Sequence, residues 1–535
     1  MPDDLQPSSK KQRIDAVGRK NRASADRLRL PGFFMNESFK QLFRSAFLDK
    51  EDFGEKSIYT DYMDKFFVQE SENTDNVSMS ENHTMKKISS IIGSPFRVGM
   101  LTNIFPMNWL LELKHELSLL EWKHRSNDLY DFYQTDDLTL VSSKYKRIAS
   151  LHNFLIDDTF VSFLEELSGT KLIRGRIDMA AQQYKKGGYL LCHDDAVTDW
   201  NLQDGGCLGL FTKDENGQPK AVVKENLPVF NSVAFFITGE SSFHEVQEVL
   251  RDDGTPRWSV TGWFYEDIQD LDSDDNSKEN EVELSGKYNL CPEPTELKSY
   301  GENDQMSVLE KYISQDYLKK ENKEKLSEIF LENSSVEMKE FLKEEVYNKL
   351  VERLCENEGW EESWNEDPEL PPNIKRYYTL NPQKLQEPGS EENDRDLGFV
   401  SDIAKFFESA EFSEYLKEIT NLNISKAIKE VRMFTPKCYT MMHDKVIEPE
   451  GLDVVFNFMR KSSVSNNNLE RTKWDSKKWH GTTHYVEDED ELLTIDPDHN
   501  TLSLAYRTKE TKKFVKYVKS SAEFARCEVS MTFVE

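Results

Sequence analysis

Three residues that could hold a metal, and a fourth that could hold a carboxylate, stand out from the rest of the chain. His193 and Asp195 lie two positions apart in Tyr189-Leu-Leu-Cys-His-Asp-Asp195, and His244 follows in Ser242-Phe-His-Glu-Val246. On a strand, residues i and i+2 share one face. Two imidazoles and one carboxylate can take one triangular face of an octahedral metal and leave the rest open, which is the ligand set of non-haem Fe(II). Arg257 begins Arg257-Trp-Ser-Val-Thr-Gly-Trp-Phe264. Its rigid fork of donors suits a carboxylate cosubstrate. Each residue alone has a plainer reading. A histidine at a strand end is ordinarily a satisfied polar group, and Arg257 could be a surface cation paired with Asp252 or Asp253. The joint pattern outweighs these readings. Apolar Val233-Ala-Phe-Phe-Ile237 precedes His244, Arg257 opens a further strand-like run, and Gly205-Gly206 permits a tight backbone turn between the ligands.

The elements that must position these residues are mixed. Trp109-Leu110-Leu111-x-Leu113-x-x-x-Leu117-x-x-Leu120 has helical spacing, as does Phe160-x-x-Phe163-Leu164-x-x-Leu167, which Gly169 closes. Beyond Ile177 the pattern is strand-like. Short runs such as Ala221-Val-Val223, Val233–Ile237 and Trp258–Phe264 are separated by Gly, Asn, Asp and Pro turns. Helices followed by short strands predict an α+β fold with helices packed on a β-sandwich or barrel. Residues 1–30 form a polar, basic arm that reads as disordered and as a nuclear address. Residues 31–94 are an extension without a clear pattern, 95–268 form the first domain, and 269–304 an acidic linker. A second domain spans 305–535, with a helical stretch over 305–355 and an acidic, proline-containing insert near 356–399.

Composition limits the partners. The chain has 535 residues, with 98 acidic against 68 basic side chains and a net charge of −30. Phosphate backbones are bound by basic surfaces, so direct nucleic-acid binding is not expected. A basic protein substrate would be drawn in by this field. No CxxC pair occurs among the six cysteines, which argues against a zinc ribbon or a thioredoxin-type site. No apolar run is long enough for a bilayer, and nothing resembles a secretory signal, so a reduced intracellular compartment is expected.

The chain repeats itself weakly but in order. Phe163-Leu-Glu-Glu-Leu-Ser168 matches Tyr415-Leu-Lys-Glu-Ile-Thr420, Tyr189-Leu-Leu-Cys-His-Asp194 matches Tyr439-Thr-Met-Met-His-Asp444, and Arg257–Phe264 matches Arg526–Phe533. Two copies of one sandwich domain are predicted. The second has His443-Asp444-Lys445 where the first has His-x-Asp. An ammonium cannot be a metal ligand, so this copy is expected to be scaffold or partner surface.

These motifs resemble the 2-oxoglutarate- and Fe(II)-dependent prolyl 3-hydroxylases that modify a small-subunit ribosomal protein. The resemblance runs from about residue 95 to the C-terminus. It is carried by Asn127–Leu138, Tyr189–Asp195, Phe235-Phe236 before Ser242–Val246, Ser259–Phe264, Asp488–Thr494 and Phe514–Val518. It implies tandem double-stranded β-helix (jelly-roll, cupin-like) domains, the first catalytic and the second not. It implies Fe(II), 2-oxoglutarate, dioxygen and ascorbate as cofactors, with Arg257 on the distal carboxylate of 2-oxoglutarate. It also implies a role in translation accuracy and termination, with the translation machinery as partner and residence in nucleus and cytoplasm.

One departure from that family is expected to matter. The family places an apolar, tyrosine-bearing strand between His-x-Asp and Gly-Gly. Here only Ala196–Asp204 intervenes, too short for a loop, a buried strand and a return. The second copy has Gly451-Leu-Asp-Val-Val-Phe-Asn-Phe-Met459 at the corresponding place. The catalytic sheet is therefore predicted to be open beside the metal site. The alternative function is a catalytically impaired isoform or pseudo-enzyme that acts as a protein-binding module.

Overall fold

The computed structural model describes residues 28–58, 89–193, 204–239, 241–267, 293–299, 305–356, 364–366, 371–380, 394–442, 448–461, 473–488 and 490–534. The basic arm falls almost wholly outside these residues, as do most of the acidic linker, Asp195 and His443.

Local chemistry sets the helices. Asp157 caps the helix Asp158–Ser168 by accepting a hydrogen bond from the Thr159 amide at 3.0 Å, and Gly169 ends it at φ 78°. Its buried face, Phe160, Val161, Phe163, Leu164 and Leu167, is the one the spacing predicts. That face meets an aromatic cluster that the sequence pattern did not announce. Phe33, Phe34, Phe39, Phe43 and Phe47 bring the helix Glu37–Phe47 into the same core. The helix Met107–Ser118 buries Trp109, Leu113 and Leu117, in line with its spacing.

The first half of the chain supplies the strands Glu55–Ser57 (β1), Ser89–Ile92 (β2), Val98–Thr102 (β3), Lys123–Ser126 (β4), Tyr130–Gln134 (β5) and Leu172–Tyr184 (β6). Tyr189–His193 (β7), Leu208–Lys213 (β8), Pro219–Asn226 (β9), Ser232–Phe235 (β10), His244–Val246 (β11) and Arg257–Glu266 (β12) follow. The expected strand Val233–Ile237 is thus shorter than its apolar run, because its ladder to β3 stops at Phe235. Among the described residues these strands form two sheets. One has the order β1-β2-β3-β10, the other β12-β6-β5-β7-β11-β8-β9 with β4 on β5.

The second half supplies Thr295–Glu296 (β13), Ser335–Lys339 (β14), Trp364–Glu366 (β15), Lys375–Arg376 (β16), Tyr378–Leu380 (β17), Lys426–Phe434 (β18) and Tyr439–Thr440 (β19). Gly451–Lys461 (β20), Thr483–Glu487 (β21), Asp490–Ile495 (β22), Thr501–Arg507 (β23), Lys512–Val515 (β24) and Phe524–Val534 (β25) complete it. The main sheet runs β14-β23-β20-β25-β18-β17-β15 with β13 on β18, and β22-β21-β24 forms a smaller one. The helical stretch expected over 305–355 is corrected by β14. Its side chains alternate, with Val336 and Met338 buried and Glu337 and Lys339 exposed, and it pairs with β23. A period of two over only five residues is hidden between two helical patterns.

Every strand ladder among the described residues is antiparallel, and the sheets curl in a jelly-roll-like α+β fold. One difference between the halves bears on the site. β20 lies between β25 and β23 and joins them into one sheet. In the first half, among the described residues, β12 pairs with β6 alone, and β10 pairs with β3 in a separate sheet. No described strand stands between β12 and β10. Burial follows pairing. Phe524 to Phe533 are all buried along β25, whereas only Arg257 and Ser259 are buried along β12.

Candidate active site

β7 and β11 lie side by side at the centre of the larger first-half sheet. Their register sets position 193 directly opposite His244, and His244 in turn faces Leu210 of β8. Opposed positions of an antiparallel pair share a face and stand about 5 Å apart. The two candidate histidine positions thus come together across the ladder. The side chain of His193 and the whole of Asp195 fall outside the described residues, so the third ligand is not placed.

His244 is fully buried. Its Nδ1 lies 2.6 Å from the Ser242 carbonyl oxygen. A carbonyl only accepts, so Nδ1 carries the proton, and the neutral ring then presents its lone pair at Nε2. Holding a ligand histidine through its other nitrogen is the usual outer support of a metal site. Phe236 meets the ring edge-on at 4.9 Å between centroids, and Phe96 stands at 6.3 Å. These rings wall the imidazole off from water.

Arg257 opens β12 opposite Tyr184 of β6. It is 1% exposed, and its guanidinium lies 4.9 Å above the Tyr184 ring. None of its three guanidinium nitrogens has a hydrogen-bond partner among the described residues. Burial pushes its pKa below the usual arginine value, and among the described residues only Tyr184 and Cys207 act against that. The surface reading is excluded, because Asp252 pairs with Lys186 at 2.5 Å and Asp253 with Arg251 at 2.7 Å. A buried guanidinium without an anion costs several kcal/mol. Bidentate pairing with a bound carboxylate would remove that penalty, so the residue fits the cosubstrate expected of it.

The connection between Arg257 and His244 runs through Cys207. This buried thiol, pushed up to about 11 mainly by burial, lies within electrostatic reach of Arg257. Leu208 beside it starts β8, which pairs with β11. The preceding glycine pair is demanded by geometry. Gly205 sits at φ 67° where a Cβ would come within 2.0 Å of the Glu248 carbonyl oxygen, and Gly206 follows at φ 63°. Sequence reading missed Tyr184, the aromatic ring nearest the guanidinium. Its signal is its place in the register, which no linear pattern displays.

The matched position in the second half is chemically different. Arg526 faces Phe434 across β25 and β18, as Arg257 faces Tyr184. Yet Arg526 donates to the Gly481 carbonyl at 2.6 Å, to Thr483 Oγ1 at 2.7 Å and to Glu528 Oε2 at 2.5 Å. Glu528 is also held by Arg432. An internal carboxylate thus satisfies the arginine that an incoming one would need. Where β12 has Ser259, β25 has Glu528.

Comparison with known proteins agrees with this chemistry. Residues 179–265 match the 2OG-Fe(II) oxygenase superfamily, and residues 304–535 match a family described as the oxoglutarate and iron-dependent oxygenase degradation C-terminal domain. The chain is 28% identical over 478 residues to the prolyl 3-hydroxylase OGFOD1 of Xenopus laevis, covering 80% of this chain and 84% of that protein. It is 26% identical to the prolyl 3-hydroxylase sudestada1 of Drosophila melanogaster, covering 80% and 81%. The prolyl 3,4-dihydroxylase OGFOD1 of Ostreococcus tauri is 24% identical, with 82% and 94% covered. Among solved structures, a prolyl hydroxylase from Trichoplax adhaerens overlays with a TM-score of 0.27 at 13% identity, covering 41% of this chain and 94% of that one. So distant an overlay carries no weight beside the sheets themselves. The chain is a 2-oxoglutarate- and Fe(II)-dependent dioxygenase. Within that class it is similar to the OGFOD1 prolyl hydroxylases.

Proposed function

We propose that the chain hydroxylates carbon 3 of a proline in a small-subunit ribosomal protein, and thereby affects translation accuracy and termination. The observation that carries the reading is Arg257, buried and without a hydrogen-bond partner among the described residues. The names of the OGFOD1 relatives support the choice of proline. Fe(II) would be held by His193, Asp195 and His244, with Arg257 on the distal carboxylate of 2-oxoglutarate. With dioxygen, this pair supplies oxidative decarboxylation to succinate and carbon dioxide, and the second oxygen atom enters a substrate C–H bond. Ser242 keeps His244 in the tautomer that ligates through Nε2. Phe96 and Phe236 keep water from that ring. Ascorbate would keep the iron reduced. The segment 95–268 would be the catalytic β-helix and 305–535 a non-catalytic copy that binds the translation machinery. Residues 1–30 would send part of the protein to the nucleus, the remainder staying in the cytoplasm.

A second reading is favoured by the edge of β12, which has no strand beside it among the described residues. In that reading the chain is an impaired isoform that keeps only protein binding. One assay separates the two. The purified chain is given Fe(II), 2-oxoglutarate, ascorbate and proline peptides of small-subunit ribosomal proteins. Succinate and peptides heavier by one oxygen are then measured. We expect both products, their loss in His193→Ala and their retention in His443→Ala. Equal product from His193→Ala would overturn the proposed function, and peptide binding without succinate would establish the second reading.

A further inference from the structure

We infer that a short loop of the second half, Tyr517–Ser520, positions the two strands that carry the candidate metal ligands. The inference rests on the site reading given above. β7 and β11 run antiparallel, with position 193 opposite His244 at one end and Leu190 opposite Val246 towards the other. The second half holds the ladder at this far end. Tyr189, the first residue of β7, packs its buried ring on Tyr517 at 4.3 Å between centroids. Glu248, two residues beyond β11, accepts the Ser520 amide at 2.8 Å and the Tyr517 hydroxyl at 3.3 Å, and it is buried. Asp131 of β5, which faces Tyr189 in register, takes Lys519 Nζ at 3.1 Å. One loop thus touches β5, β7 and the exit of β11 together.

The arrangement has the properties of a brace. Tyr189 and Glu248 each stand four residues from a candidate ligand, about 13 Å along a strand. They act on the ligands only through the ladder and are therefore positioning residues. The ladder is short, since β11 has three residues and its register with β7 slips between His244 and Val246. A pair so brief cannot fix its own stagger firmly, and a one-residue slip would turn a ligand to the opposite face. A ring contact to β7, hydrogen bonds to Glu248 just beyond β11 and an ion pair to β5, all from one outside loop, hold that stagger. Lys519 also packs against Gly187 in the turn that enters β7, where a Cβ would meet it at 3.1 Å.

The test uses the full chain and Mn(II), whose binding is measured by electron paramagnetic resonance without turnover. Tyr517→Phe removes one hydroxyl and keeps the ring. Combined with Lys519→Met it should weaken Mn(II) binding by about tenfold, the lower end of what lost outer supports cost a metal site. Glu248→Ala should do the same, while Glu248→Gln, which still accepts from Ser520 and Tyr517, should bind Mn(II) as the unaltered chain does. Lys516→Ala breaks a bond to Ser126 on β4, which pairs with β5 rather than with a ligand strand, and should leave Mn(II) affinity unchanged. Unchanged affinity in Tyr517→Phe/Lys519→Met, or an equal loss in Lys516→Ala, would overturn the brace. If the unaltered chain itself failed to bind Mn(II), the site reading would fall, and the brace with it.

Discussion

The two matched arginines show how one neighbour decides a residue's use. Arg257 and Arg526 are equally buried, but among the described residues only Arg526 has an internal carboxylate. Their substitutions by methionine should therefore have opposite signs. Arg526→Met leaves Glu528 to Arg432 alone and takes the donor from the Gly481 carbonyl, and should cost about 1–3 kcal/mol, as an unsatisfied buried group does. Arg257→Met removes a desolvated charge and should raise the stability of the ligand-free chain by about 1–4 kcal/mol. The same change should abolish the thermal stabilisation that 2-oxoglutarate gives in the presence of Mn(II). Arg257→Lys should retain part of that stabilisation, since it keeps the charge and loses the fork. Melting curves with and without 2-oxoglutarate decide the matter. A 2-oxoglutarate shift that survives in Arg257→Met would remove this residue from the cosubstrate site.

At the scale of elements, the split sheet of the first half leads to a constructive experiment. β20 buries Leu452, Val454, Phe456 and Phe458 in the core of the second half and pairs on both edges. A strand of that type inserted after Asp195 should pair β12 with β10 and close the sheet. A gain of only 2 kcal/mol would appear as a rise of about 4–8 °C in melting temperature. Peptide hydroxylation should rise with it, because a closed sheet excludes water from the cosubstrate. Equal melting temperature and equal activity with and without the insert would mean that the chain closes this gap by other means. The sequence leads one to expect this gap, because nine residues cannot hold a strand and its turns and the second half displays the strand in full, and no described strand fills it. The helix Asp158–Ser168 was legible for its cap, its spacing and its closing glycine. Other features were not. β14 is too short to separate from the helices around it. The phenylalanines at 33, 34, 39, 43 and 47 owe their burial to a helix more than a hundred residues away. Position 193 and His244 are brought together by a ladder register that sequence spacing alone does not specify. Glu528 lay in plain view two residues after Arg526, but its meaning depends on the two side chains sharing one face.

Across the whole molecule, the junction of the two halves sets charged groups against the acidic background of the chain. His480 of the second half lies 3.5 Å from Asp131 of the first, a contact that favours its charged form. Burial opposes this most strongly, and Lys519 and Lys516 add to the opposition, so the imidazole is held down at about 3. In the unfolded chain a histidine titrates near 6.5. The folded pKa is therefore depressed below the unfolded one. Above pH 6.5 both states are neutral at this residue and its contribution is complete. As pH falls from 6.5 towards about 3, the unfolded chain takes up a proton that the folded one refuses, and stability is lost. By pH 5.5 the loss is about 1.4 kcal/mol, or roughly 3–6 °C in melting temperature. Asp131 does not contribute in this window. Despite burial, Lys519 and His124 hold its carboxyl below the usual range, so it titrates only at lower pH. His484 is shifted in the same direction as His480, chiefly by burial. The substitution His480→Gln should therefore reduce the acid sensitivity between pH 7.5 and 5.5 without removing it. Melting curves at the two pH values, for the unaltered chain and for His480→Gln, provide the check. If His480→Gln keeps the full acid sensitivity of the unaltered chain, His480 is not the neutral group that this junction requires.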